Sequence, residues 1–408
     1  MKLAFALACM TVAANLFADT YYWLPEKGTM ADATNFNNWA IQFDSVEKKP
    51  VETAHPTRLP TADDYLCATR ELSFNLNGAS LAFKNLTAAD VSPYTGGTYW
   101  GAVGDTWFFE NGTLTVSICH TRHRTGDYMS LTNGAHLVIT NSFTPGSGMG
   151  SDGIADINIA SGCSISNKIT YFANGHINIA AGGEYTTELI QNSGIQSTPR
   201  LYNNGTTRIG SVVYSAAGSG YALVVYQQAG TMALGGAFDR KGAGSLSFAV
   251  SGGTLRATGY VSFPDITSAS FAAGSSMTLQ VDEGCLLDLT PFTYGDNVTF
   301  TLTGPGDLIL GDNLPASLAV AAGGVFSPAG ARCNAFDITV ASGGTIRFKS
   351  PGAACRLITF AQGASVTMDM NAFVSGDVVL VSESDATLTA AAALLNAWFI
   401  AQQLGFEV

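Results

Sequence analysis

The densest grouping of chemically versatile side chains in this 408-residue chain is Cys119-His120-Thr121-Arg122-His123-Arg124. On an extended strand successive side chains point to opposite faces. His120, Arg122 and Arg124 then share one face, and Cys119 and His123 share the other. Two guanidiniums beside an imidazole make a basic spot, and arginine's forked donors suit a carboxylate or an acidic sugar. His120, Arg122 and Arg124 are therefore the candidate binding residues. The competing reading is a solvated loop after a strand. A metal site there would need a further ligand, and His136 and His176 are candidates by chain position alone.

The other reactive groups are dispersed. Of seven cysteines, Cys9 lies in an apolar leader, and no two form a C-x-x-C pair of the kind that holds zinc or a redox dithiol. Cys333 and Cys355 lie about one repeat apart. In adjacent coils they would come within reach of a disulfide; the alternative is two buried thiols. Neighbouring acids, Asp63-Asp64 and Asp282-Glu283, would point to opposite faces of a strand, so neither pair converges as hydrolysis of a glycoside requires. No Ser-His-Asp layout, phosphate loop or dinucleotide fingerprint stands in its proper context. The expectation is no catalytic residue, no metal and no cofactor. A polysaccharide lyase or glycosidase stays open on fold analogy.

These residues must be positioned by a repeated element. The phrase is apolar, any, apolar, two small or polar residues, then glycine. It reads Ile157 to Gly162, Ile177 to Gly182, Leu318 to Gly323, Ile338 to Gly343 and Ile358 to Gly363. Looser copies are Trp107 to Gly112, Met129 to Gly134, Phe248 to Gly253 and Ala269 to Gly274, with Gly205 and Gly230 near the same phase. Residues i and i+2 share a strand face, and the glycine permits a tight turn. So small a unit buries its apolar face only by stacking on copies of itself. The expectation is an all-β, right-handed parallel β-helix, a β-solenoid of about 20–25 residues per coil. An antiparallel sandwich is the alternative. The wide gap from Gly134 to Gly162 should hold a loop insertion or a degenerate copy.

Composition follows from that architecture. Residues are 47% hydrophobic and only 12% charged, and 45 are glycine. Stacked parallel strands set like residues above one another, so outward Thr, Ser and Asn rows avoid the repulsion of equal charges. A net charge of −12 argues against a nucleic-acid partner.

The ends differ. Residues 1–18 have a lysine, an apolar run and small residues, the layout of a secretory signal peptide. Cleavage after Ala18 or after Ala14 both fit. Residues 19–70, with Trp23, Trp39 and a polar loop from Asp44 to Pro56, read as an N-terminal cap. Residues 71–384 read as the β-helix. Residues 385–408 read as a short helical cap or tail, with an Ala- and Leu-rich stretch from Thr389 to Gln403. No segment reaches the length of a membrane-spanning helix.

Thr303-Gly304-Pro305-Gly306-Asp307-Leu308-Ile309-Leu310-Gly311-Asp312-Asn313 resembles the autotransporter-associated β-strand repeat of bacterial surface and secreted β-helix proteins. Lys241-Gly242-Ala243-Gly244-Ser245-Leu246 is a weaker copy. Tyr22-Trp23, Asn38-Trp39 and Leu59-Pro60-Thr61-Ala62-Asp63-Asp64 are similar to the start of such proteins. The resemblance implies export, a parallel β-helix and a structural or adhesive role at or beyond the cell surface. Glycans or other surface proteins would be the partners, and a carbohydrate-binding module is a further alternative. The C-terminus departs from that pattern, with no strand run suited to an outer-membrane barrel.

Overall fold

The computed structural model describes residues 19–25, 29–44, 46–47, 49–68, 72–88, 106–121, 128–146, 155–192, 198–311, 314–327, 337–348, 357–361, 363–368, 379–382 and 387–390. Two compact units divide the chain, residues 1–175 and 176–408. Both are built from stacked parallel coils, and the protein is an all-β solenoid. Among the described residues, only two short strand pairs are antiparallel: Tyr22-Trp23 with Trp39-Ala40, and Phe43-Asp44 with Lys49-Pro50. The parallel register rules out the sandwich.

In the first unit, the strands Ser80–Ala88, Thr106–His120 and Tyr128–Thr144 run side by side. Leu81, Leu114 and Leu137 stack inward as one row, followed by Ile165. Each such residue taken out of water contributes roughly 1.5–3 kcal/mol. Asn-Gly corners recur at Asn77-Gly78, Asn111-Gly112 and Asn133-Gly134, and every one of these residues has positive φ. Asn and Gly are the residues that visit this region most readily. The wide gap before Gly162 is resolved by register. Met129 pairs with Ile157 and His136 with Ser164, so the two strands are adjacent rungs and the additional residues fall between Gly146 and Ala155. They are an insertion, with no coil missing.

The segment read as the N-terminal cap contributes strands that pair with the ladder. Thr20–Trp23 lies parallel to Tyr65–Ala68, and Ala31-Asp32 lies parallel to Leu72–Asn75. Its aromatic, glycine-poor sequence hid these rungs. Covering of the core comes from Trp39, fully buried against Tyr21, Trp23, Phe74 and Phe83, with its indole N–H donating to the Ala33 carbonyl at 2.9 Å.

In the second unit, coils between residues 222 and 310 carry three strands, as in Ser245–Val250, Gly253–Ala257 and Tyr260-Val261. Beyond, the described coils carry two, as in Ser317–Val320 with Val325-Phe326. Leu318, Ile338 and Ile358, each twenty residues after the last, sit in register on successive coils. The inward row Leu255, Leu279, Leu302, Val320, Val340 is fully buried. Beside it runs an outward row: Thr206, Thr231, Thr254, Thr278, Thr301, Ala319, Thr339, Thr359. The Gly304-Pro305-Gly306 motif forms the corner between Thr299–Thr303 and Asp307–Leu310.

Thr387–Ala390 is a strand parallel to Ser365–Met368. The first residues of the stretch expected as a C-terminal helix therefore continue the ladder. Alternating Thr-Leu-Thr-Ala serves a strand as readily as a helix. The remainder, from 391, lies outside the described residues.

Candidate functional site

His120 ends the strand Thr106–His120 and stands in register with Thr87 and Thr144. Cys119 points into the core and His120 away from it, the facing expected from strand alternation. One detail of that alternation fails. Leu114 and Val116 are buried, but Ile118 is only half-buried and Cys119 takes the next inward place. The preceding strand changes phase at the same level: Phe83 and Leu86 are buried and pair with Val116 and Cys119 without a break in register, so the two strands bend together there. Burial lowers the pKa of His120, so its imidazole stays neutral further into acid and adds no charge to a basic spot at neutral pH. Burial also drives the Cys119 thiol far up, away from thiolate chemistry.

Thr121 follows, fixed to the neighbouring coil. Its hydroxyl accepts from the Gly146 N–H at 2.8 Å. Arg122 and Arg124, and His123 between them, lie outside the described residues, as do Cys333 and Cys355. Of the possible metal ligands, His136 meets the Ser164 hydroxyl at 2.9 Å, and His176 stands edge-on to the Tyr202 ring. Among the described residues no three His, Cys, Asp or Glu side chains come together to hold a metal.

The strongest electrostatic cluster lies elsewhere, where Asp19, Arg58 and Asp64 meet. Asp64 is fully buried and accepts five hydrogen bonds. Arg58 donates to both of its oxygens, at 2.5 and 2.7 Å, and the Asp19 N–H donates to Oδ1 at 2.8 Å. The Thr61 N–H and hydroxyl donate to Oδ2 at 2.7 and 2.9 Å. Arg58 also reaches the Asp19 carboxylate at 2.9 Å and lies over the Tyr21 ring. Burial raises the pKa of Asp64, but the bonds from Arg58, Asp19 and Thr61 outweigh it and hold the group at about 2. Nothing in the residue order marks Asp64, and not its exposed neighbour Asp63, as the buried member. The other prominent acid, Asp282, is gripped by Arg256 at 2.8 to 3.1 Å, and that partner lowers its pKa. Both carboxylates are held as ions and are not poised to give up a proton near neutrality.

A surface suited to contact is on the outer side of the second unit. Tyr202 and Tyr226 hold equivalent places in successive coils, and their rings stack at 4.8 Å with only 6° between planes. Arg200 donates to the Tyr202 hydroxyl at 3.0 Å. The next residue in the row is Ala249, so a small side chain follows the Tyr226 ring. Aromatic faces beside a guanidinium can pack on a sugar ring and bond its hydroxyls. Sequence reasoning missed this pair because the glycine phrase is degraded there. The available signal was two tyrosines at one phase, each directly before a buried amide, Asn203 or Gln227.

No protein-family model matches the chain, and neither characterised proteins nor solved structures gave a match.

Proposed function

We propose that this chain is exported through its N-terminal leader and acts at or beyond the cell surface as a structural or adhesive β-solenoid without catalysis. The observation that carries the reading is the outward threonine row, with Thr206, Thr231, Thr254, Thr278 and Thr301 in register on consecutive coils. It is a neutral, hydroxyl-bearing flank of a kind that withstands exposure and offers regularly spaced contacts. The leader-like residues 1–18 and the resemblance of Thr303 to Asn313 to the autotransporter-associated repeat support export.

Glycan binding is favoured within this reading by the stacked Tyr202 and Tyr226 rings beside Arg200. The basic residues Arg122 and Arg124 are a second candidate contact. The test has two parts. Expression of the full chain in a secretory host should deliver it outside the cytoplasm without its leader. A chain that stays inside with Met1 intact would overturn the proposal. A glycan array then reports binding. Loss on Arg200→Ala with Tyr226→Ala would place the contact on the tyrosine pair, and loss on Arg122→Ala with Arg124→Ala would place it on the basic segment.

A further inference from the structure

The Asp19 nitrogen, the first described backbone donor of the chain, ends on the buried member of this cluster. It lies 2.8 Å from Asp64 Oδ1, on a carboxylate with no exposure to water. Asp19 and Asp64 each carry a negative charge and Arg58 one positive charge, so the group sums to −1 while Asp19 is joined to Ala18. We propose that the bond between Ala18 and Asp19 is the processing site, and that the α-ammonium released there becomes the fourth member of this cluster. The inference rests on the reading that the chain is exported through a cleaved leader.

Cleavage after Ala14 would leave Asp19 N as a neutral amide and the cluster at −1. Cleavage after Ala18 brings the sum to zero and converts an amide bond into a charge-assisted one, which is about twice as strong. Arg58 already neutralises the buried Asp64, and the charge left over is that of the half-exposed Asp19, which the ammonium would offset. The chemistry is a hydrolysis by an endoprotease of the leader-removing class. One water adds across the amide, the C–N bond breaks, Ala18 leaves as a carboxylate and the Asp19 nitrogen becomes an ammonium. No redox partner is needed.

The other polar groups around the cluster are engaged elsewhere. The Tyr21 hydroxyl donates to the Arg58 carbonyl, the Tyr65 N–H donates to the Asp19 carbonyl, and Lys84 donates its N–H to the Asp64 carbonyl. The Lys84 ammonium is turned to the Tyr65 hydroxyl at 2.9 Å. The nearest side-chain partners of the nitrogen are then two carboxylates against one guanidinium, and the balance favours an ammonium.

The full chain is to be made in a secretory host and its first residue read by mass spectrometry. The rate of cyanate addition to the α-amino group is then followed against pH. The expected result is a chain beginning at Asp19 whose α-amino group titrates about one unit or more above its ordinary ~7.7–8.0. The same chain in urea should return to the ordinary range, which provides the reference. A start at Asn15 would overturn the site while leaving export intact. A start at Asp19 with ordinary titration in the folded chain would overturn the ammonium's place in the cluster. Retention of Met1 would overturn the export reading itself.

Discussion

Asn203 and Gln227 hold the same inward position on successive coils, and the Asn203 amide donates to the Gln227 side-chain oxygen at 2.6 Å. Both are fully buried. Asn203 also donates to the Thr231 carbonyl and accepts from the Gly205 N–H. Gln227 donates to the carbonyls of Ala229, Gly230 and Gly252. The pair satisfies the backbone of the corners, where ladder hydrogen bonds stop. Asn203→Leu should strand the Gly205 N–H and the Gln227 oxygen, and lower stability by about 2–4 kcal/mol. Urea unfolding measures the loss, and hydrogen exchange at Gly205 and Thr231 should locate it. An unchanged midpoint would mean that water takes over these bonds.

The carboxylate of Asp64 makes stability depend on acid. Its folded pKa of about 2 lies below the ordinary ~3.9 of an unfolded aspartate. The unfolded state then binds the proton first. The contribution is complete above about pH 5, and shrinks as pH falls through the unfolded value toward the folded one. About two units correspond to roughly 2.5 kcal/mol. Asp64→Asn should flatten that part of the profile and cost about 3 kcal/mol at neutral pH, because Arg58 loses its buried partner and keeps only the half-exposed Asp19 carboxylate. A mutant profile as steep as the parent's between pH 5 and 2 would assign the acid sensitivity to another group.

Much of this architecture was readable from period alone. Leu318, Ile338 and Ile358 announce the ladder because their phase never slips. The early rungs at Thr20 and Ala31 were hidden, since aromatic packing around Trp39 does there what glycine corners do elsewhere. The candidate site was less legible still. Which carboxylate of Asp63-Asp64 is buried depends on Arg58, and the Tyr202–Tyr226 stack depends on coil register, which a degraded repeat does not display.

The threonine row gives a test of why the chain carries so few charges. Thr278 and Thr301 are register neighbours on adjacent strands, roughly 4.8 Å apart. Placing lysine at both should add an unfavourable coupling of roughly 0.5–1 kcal/mol, beyond the sum of the single changes. Lysine at one and glutamate at the other should reverse its sign. High salt should shrink both couplings. A double-mutant cycle by chemical unfolding at low and high salt reads the effect. Equal couplings for the two pairs would remove electrostatics as the reason for neutral rows.

Two corner glycines separate backbone conformation from close approach. Gly323 has φ +74, and a Cβ built there meets nothing within 4 Å. Its requirement is purely conformational. Gly205 is not in the positive-φ region, yet a Cβ there would lie 2.4 Å from the carbonyl oxygens of Ala180 and Gly183. Its requirement is space. Gly323→Ala should therefore cost about 1–2 kcal/mol, and Gly323→Asn much less, because asparagine tolerates left-handed backbone. At Gly205 both alanine and asparagine should cost about 2 kcal/mol or more, since either brings the same Cβ against backbone that cannot turn aside. Thermal or urea unfolding of the four variants gives the comparison. Rescue by asparagine at Gly205, or its failure at Gly323, would show that these corners are held by something other than the two constraints named.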